Sequence, residues 1–360
     1  MYNSEYLKSF ITEVLRKIGC SDKNSVTVAE VLVTADLRGI QSHGVIRFKD
    51  YYELWKNGRI NVTPDIKIIH ETLSTAAVDG DKGMGPVVAN YAMNITIEKA
   101  KNAGTCWVAV NNSNHFGIAG YYSMLALKHD MIGIAMTNAN PLVAPTFSID
   151  KLLGTNPIAV AIPAGKQPPF VADFATTPIA RGKLDLLSKR GLKASTGFVQ
   201  DKDGHPSSDP DIIKKEGAML TLGGDREHGS HKGYCMSAIV DIFSAVLSGA
   251  NFGPFVPPSV AFLPVLEKSV GKGTGHFFGA MRIDAFQKKE DFKMKMDEWI
   301  DTFRNAKSAQ GQPKVLIPGD IERELYEINL KKGIEILPVV IDDLKEIGKS
   351  TGVNFIEEKT

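Results

Sequence analysis

A chain of 360 residues has room for two or three domains, each with its own core. Its 43% hydrophobic and 23% charged residues are those of an ordinary water-soluble globular protein, and a formal net charge of +1 excludes a mainly electrostatic partnership with nucleic acid or an anionic membrane. No apolar run approaches the ~20 residues a membrane helix needs.

The polar N-terminus lacks the basic and apolar segments of a secretory signal. The three cysteines (Cys20, Cys106 and Cys235) are too widely spaced for a disulfide framework or a zinc site. A cytoplasmic location and no bound metal are expected. In chain order, Leu7, Phe10, Ile11, Val14, Leu15 and Ile18 recur at helical spacing, so a first helix covers 6–18. Ser21 or Asp22 caps a second over 26–37, and a third runs from Ser42 to Trp55, stopping at Asn57-Gly58. From residue 61 the pattern changes. Strands are expected at 65–69, 75–79, 105–110 and 132–136, with a helix over 87–103, and the alternation continues through 162. That pattern predicts an α/β sheet with crossover helices. The polar stretch 185–230 is too long to be structureless and reads as a hairpin plus a mobile surface segment. An apolar helix over 231–249 and a strand over 275–283 follow. Beyond Asp284 the chain is helical and charged.

Five stretches could carry chemistry. In S-H-G-V-I-R-F-K-D-Y, residues 42–51, a continuous helix would align His43, Arg47 and Tyr51 on one stripe. These are a proton carrier, a fork for a carboxylate and a hydroxyl. Ser42 as the cap would place His43 at the positive end of the dipole and favour its neutral form. In N-N-S-N-H-F-G, residues 111–117, a strand hands over to a helix, which is where open α/β sheets present ligand-binding groups. His115 stands there with glycines that allow close approach. Residues 152–159 and 171–178 put small polar residues at strand ends, where backbone amides could hold a pyrophosphate. Finally, H-K-G at 231–233 opens a helix and could face an anion with Lys232. His228 and His231 alone are a weak metal pair, since no third ligand adjoins them. The glycine runs at 80–85 and 271–279 lack the G-x-G-x-x-G order or the helix it requires, so neither a Rossmann domain nor a P-loop is supported.

Taken together, S-H-G-V-I-R (42–47), N-S-N-H-F-G (112–117), G-T-N-P (154–157), D-F-A-T-T (173–177), H-K-G (231–233) and P-G-D (318–320) resemble the second type of malate/L-lactate dehydrogenase. These are NAD(P)-dependent oxidoreductases unrelated to the Rossmann-type enzymes, and the likeness spans essentially the whole chain. It implies a non-Rossmann α/β fold: a largely β nucleotide-binding domain beside a helical domain made by both chain ends. The corresponding segments are 1–60 (helical), 61–115 (α/β connection), 116–284 (NAD(P) binding) and 285–360 (return to the helical domain). It further implies a homodimer or a multiple of dimers. His115, with His43, is the expected acid/base and Arg47 the clamp on the substrate carboxylate. Ser42, Tyr51 and Asn156 would line the substrate pocket. Asp173, Phe174, Ala175, Thr176, Thr177, Lys232, Gly233, Pro318, Gly319 and Asp320 would contact the nucleotide. The family usually has glutamate where this chain has Asp320. The expected reaction moves a hydride between NAD, or NADP, and a small 2-hydroxy acid. Malate with oxaloacetate comes first. Lactate, sulfolactate or ureidoglycolate oxidation, and reduction of a cyclic imino acid or diketogulonate, are the alternatives.

Overall fold

The computed structural model describes residues 1–356. Helix α1 (Ser4–Lys17) is capped by the Asn3 side chain and α2 (Asp22–Leu37) by Ser21, whose hydroxyl accepts from Asn24 N. A single 3₁₀ turn, Gln41–His43, precedes α3 (Arg47–Lys56). Strands β1 (Lys67–Glu71) and β2 (Thr75–Asp79) lead into α4 (Gly85–Ala103) and β3 (Thr105–Ser113). Then come α5 (Ala119–Leu125), β4 (Met131–Thr137), β5 (Val143–Ala144), β6 (Ile158–Ile162), β7 (Phe170–Phe174) and α6 (Arg181–Lys189). Short strands β8 (Val199–Gln200), β9 (Pro206–Ser207) and β10 (Ala218–Leu220) precede α7 (Ser230–Asp241), which continues as a π turn, Ile242–Val246. Strand β11 (Thr274–Arg282) and helices α8 (Lys289–Arg304), α9 (Asp320–Lys332) and α10 (Pro338–Thr351) complete the chain.

The main sheet has seven strands in the order β1-β2-β3-β11-β4-β6-β7. Only β2 and β3 pair in parallel, and α4 is the crossover that a parallel pair requires. The sheet joins strands from 61–115 to strands from 116–284, because β3 lies against β11 over its whole length. One apolar core covers it: Val78, Val88, Met93, Val108, Tyr122 and Phe278 are all buried. A second core unites the chain ends, with Leu7, Phe10, Val14, Phe48 and Leu54 packed with Val340, Leu344 and Ile347 of α10. Helix α2 serves both cores, giving Val28 and Leu32 to the helical body and Val31 to the sheet. A helix buried on several sides this way is apolar nearly all round. The non-Rossmann α/β fold with a helical domain from both ends is therefore the observed architecture.

Three expectations change. The third helix does not start at Ser42: the chain leaves the 3₁₀ turn at Gly44 and re-enters a helix only at Arg47. The Asp36 carboxylate of α2 occupies the space beside Gly44, where any Cβ would collide with it, and it accepts the Val45 N–H at 2.7 Å. A contact from another helix thus breaks what local pattern reads as continuous. Strand β3 runs three residues further than expected, so the N-N-S of 111–113 is strand rather than turn. The apolar helix over 231–249 loosens into a π turn after Asp241. The polar stretch does contain a hairpin, β8–β9, turning where Asp201 accepts the N–H groups of Asp203 and His205, both at 2.9 Å. It folds around a four-stranded sheet, β5-β10-β8-β9, with its own small core of Val143, Leu184, Val199 and Met219.

Candidate active site

Helix α3 carries Arg47 and Tyr51 one turn apart, and the strand-end segment after β3 carries His115 to meet them. The Tyr51 hydroxyl lies 2.9 Å from His115 Nδ1. His43 stacks on His115 with ring centres 5.4 Å apart and planes inclined by 27°. Ser42 Oγ is 2.9 Å from His43 Nδ1. Each imidazole is thus held through Nδ1 by a hydroxyl, and among the described residues nothing bonds either Nε2. Arg47 donates from Nε to Ser42 O at 2.7 Å and from Nη1 to Asp50 Oδ2 at 3.1 Å, which orients the guanidinium and leaves its other donors available. Five residues predicted from sequence, Ser42, His43, Arg47, Tyr51 and His115, therefore converge.

Arg47 is the cation of this cluster; burial raises its partner Asp50 while Arg47 draws it back down, and the imidazoles and Tyr51 are uncharged. Burial, followed by the charge of Arg47, pulls His43 down to about 4. Burial lowers His115 well below the ordinary histidine value, reinforced by His43, Arg47 and His276. Burial likewise raises the Tyr51 hydroxyl, so it keeps its proton. Ser42 does not cap a helix over His43; α3 has no side-chain cap and His43 lies outside it. Its neutral form comes from desolvation and a neighbouring cation, not from a helix dipole.

Three supporting residues were not read from the sequence. Asp36, raised to about 7 by burial, shapes the turn that presents His43. Asp50 steers Arg47. His276, on β11, is fully buried with Nε2 at 2.7 Å from Ser113 Oγ and Nδ1 at 2.8 Å from Thr137 Oγ1. Thr137 gives its own proton to Gly275 O at 2.9 Å, so it accepts from Nδ1, and Nε2 accepts from Ser113. The imidazole also stacks on Phe116 at 4.7 Å, bracing the strand end that bears His115. A carboxylate such as Asp36 on an otherwise apolar helix was the available signal; a histidine in an alternating strand offered none.

The remaining predicted residues are placed differently. Asn156 is fully buried, and its amide joins Ala139 N (3.1 Å) to Ser237 O (3.0 Å). It ties the loop after β4 to α7, with both ends of its amide engaged within the protein. Asp173 accepts the Gly120 N–H at 2.8 Å, and burial raises it to about 6 despite nearby Arg38. Phe174 is exposed. Thr176 gives its hydroxyl to Thr155 O and Asn156 O, both at 3.1 Å, and its backbone N–H to Thr155 O at 2.9 Å, while the Thr177 hydroxyl goes to Ile179 O at 2.9 Å, so of this segment the backbone at 175 and 177 is left for a ligand. Gly233 lets α7 pack directly on Leu222, whose N–H reaches Thr176 O at 3.0 Å. Lys232, beside it in the first turn of α7, is exposed. Pro318 O receives the Val171 N–H at 3.0 Å, and Gly319 takes φ 97° at the head of α9. Asp320 is buried and faces inward, accepting from Ile317 N at 2.9 Å, Arg304 Nη2 at 3.0 Å and Arg323. Its carboxylate is an ion-pair centre engaged within the protein, so a nucleotide contact from this segment would fall to the Gly319 N–H. His228 pairs with Asp225 at 2.7 Å and His231 faces Arg226, so these two imidazoles do not converge on a common point.

The donor set fits a nicotinamide dinucleotide: an exposed lysine at the head of a 12-residue helix for the pyrophosphate, an exposed aromatic ring at Phe174, and free backbone at 175. Neutral imidazoles beside a guanidinium, on a mixed sheet without Rossmann order, suit a dehydrogenase outside the Rossmann class. The profile of the malate/L-lactate dehydrogenase family matches residues 2–345. The chain is 42% identical to the malate dehydrogenase of Pyrococcus abyssi over 98% of its own length and 95% of that protein. It is also 42% identical to the L-sulfolactate dehydrogenase of Methanocaldococcus jannaschii, covering 97% and 96%. The malate dehydrogenase structure from Entamoeba histolytica superposes with a TM-score of 0.91 at 36% identity, covering 98% of each chain. The chain belongs to the malate/L-lactate dehydrogenase family. It is an oxidoreductase, and the family implies a nicotinamide cofactor and a hydroxy-acid substrate. No helix among the described residues is long and apolar enough to cross a membrane.

Proposed function

We propose that this enzyme interconverts malate and oxaloacetate with NAD as the first cofactor and NADP as the second, acting as a cytoplasmic homodimer or a multiple of dimers. The observation that carries the reading is the 2.9 Å contact between Tyr51 and His115 in the same crevice as Arg47. Arg47 holds the acid group next to the reacting carbon, and its planar fork sets orientation as well as position. His115, neutral because it is desolvated, exchanges a proton with the substrate oxygen at Nε2, while Nδ1 is held by the Tyr51 hydroxyl and faces the Gly117 N–H at 3.4 Å. The nicotinamide, when bound, supplies the acceptor for the hydride leaving that carbon. Lys232, Phe174 and the backbone at 175 and 177, with the Gly319 N–H, would hold it, and His43 excludes water from the other face of His115. Sulfolactate is the second reading, because the relative of that name is as similar to this chain as the malate enzyme.

Reduced-nicotinamide absorbance followed with oxaloacetate, sulfopyruvate, pyruvate and a cyclic imino acid, each with NADH and NADPH, tests it. Oxaloacetate with NADH should show the highest kcat/KM. Rapid turnover of the imino acid without turnover of oxaloacetate would sink the reading.

A further inference from the structure

We propose that Arg181, the first residue of α6, selects substrates by binding a second anionic group at the far end of the 2-hydroxy acid, so that the enzyme prefers dianions. This rests on the 2-hydroxy-acid reading above and adds to it a residue that Arg47 and the histidines do not account for. The chain runs straight from the nucleotide-side residues 173–177 into α6, and α6 begins against the substrate crevice. A Cβ at Gly182 would lie 3.3 Å from the Ser42 Cβ, so the first turn of α6 abuts the turn that carries His43. The Arg181 guanidinium acts electrostatically on Asp50, the carboxylate that already orients Arg47. Arg181 therefore lies on α6 within electrostatic range of Asp50, in the turn that abuts Ser42, without an ion pair to it. Yet among the described residues no carboxylate is within ion-pair distance of it; the nearby Asp211 is taken by Lys214 at 2.6 Å and Ser188 at 2.6 Å.

Charge balance gives this placement its meaning. Arg47 and Asp50 pair and both imidazoles are neutral, so with Asp50 ionised the site without Arg181 would offer no net charge to a ligand. A monoanion needs only the Arg47 fork. A second carboxylate or a sulfonate on the substrate would face Asp50 unbalanced, and a charge left unpaired in a partly dry site costs more than the pair gains. Arg181 supplies the missing positive charge where the tail of a short dianion would extend.

The test replaces Arg181 with Met, which keeps the length and the helix, and with Lys, which keeps the charge. Arg181→Met should lower kcat/KM for malate and oxaloacetate by roughly 10²-fold, chiefly through KM, the usual loss of one charge-assisted pair. The loss should be at least tenfold greater than for lactate and pyruvate, with an unchanged melting temperature. Arg181→Lys should recover most of it. Equal losses on both classes of acid, or none on either, would overturn the assignment. Calorimetry with hydroxymalonate and oxamate, on the protein with reduced nicotinamide nucleotide, separates this idea from the reading beneath it. If no 2-hydroxy acid is oxidised but hydroxymalonate binds more tightly than oxamate and loses that advantage in Arg181→Met, the dehydrogenase reading fails and the dianion site stands. If the wild-type protein shows no preference for the dianion, the Arg181 assignment fails whatever the turnover.

Discussion

His115 and His276 lie close in space, and both are held neutral by burial, but they do opposite work. His276 has both ring nitrogens occupied, by Ser113 and Thr137, and no exposed surface. His115 is held through Nδ1 alone and presents Nε2 to the crevice, with His43 stacked beside it. A depressed pKa is common to both, so it does not by itself mark a catalytic base. The open nitrogen does.

The largest effect that would break this comparison is the loss of the base. His115→Ala should cut kcat by ~10²–10⁴-fold, the usual worth of a general acid–base, while nucleotide binding by fluorescence titration is retained. If His43→Ala costs more, the roles of the two rings are reversed. Next comes Arg47→Lys, which keeps the charge but not the fork. KM for oxaloacetate should rise and kcat fall, together by roughly tenfold or more, as for a lost charge-assisted bond. Identical kinetics would remove Arg47 from the substrate.

The smallest effect separates brace from base. His276→Ala leaves Ser113 and Thr137 without their partner, which should cost about 1–3 kcal/mol in denaturant unfolding and lower kcat far less than His115→Ala. The sign of the pH dependence follows from the direction of the shift. The folded protein holds His276 at about 3 and His43 at about 4, below the unfolded value near 6.5. The unfolded chain therefore binds more protons as pH falls through that window. The contribution of these two histidines should be full above about pH 7 and decline from there toward pH 4, while Asp36, raised to about 7, and Asp173, raised to about 6, contribute with the opposite sign over the same window. Removing His276 should flatten that decline, whereas a profile of unchanged slope would mean its burial is not felt.

Much of this was legible beforehand because it is local. The amphipathic spacing of Leu7 to Ile18 gave α1, and alternation in 75–79 gave β2 with the observed bounds. Arg47 and Tyr51 do share a helix face. His43 was misplaced onto that face because the break at Gly44 is imposed by Asp36, which no window around residue 44 contains. Asn156 and Asp320 were less legible for a similar reason. Their residue types suit a ligand, but Ala139, Ser237, Arg304 and Arg323, distant in the chain, take their hydrogen-bonding groups first.

The amino-acid order by itself determined the positions of the helices and strands, the absence of a Rossmann glycine pattern, and the set of proton-carrying and cationic side chains available to the site. Tertiary structure alone decided which of those groups stay open to a ligand. Propensity and periodicity act over a few residues. Hydrogen-bond saturation and desolvation are set by whatever the fold brings alongside, and that is why His276 has both ring nitrogens engaged while His115 is held through Nδ1 alone.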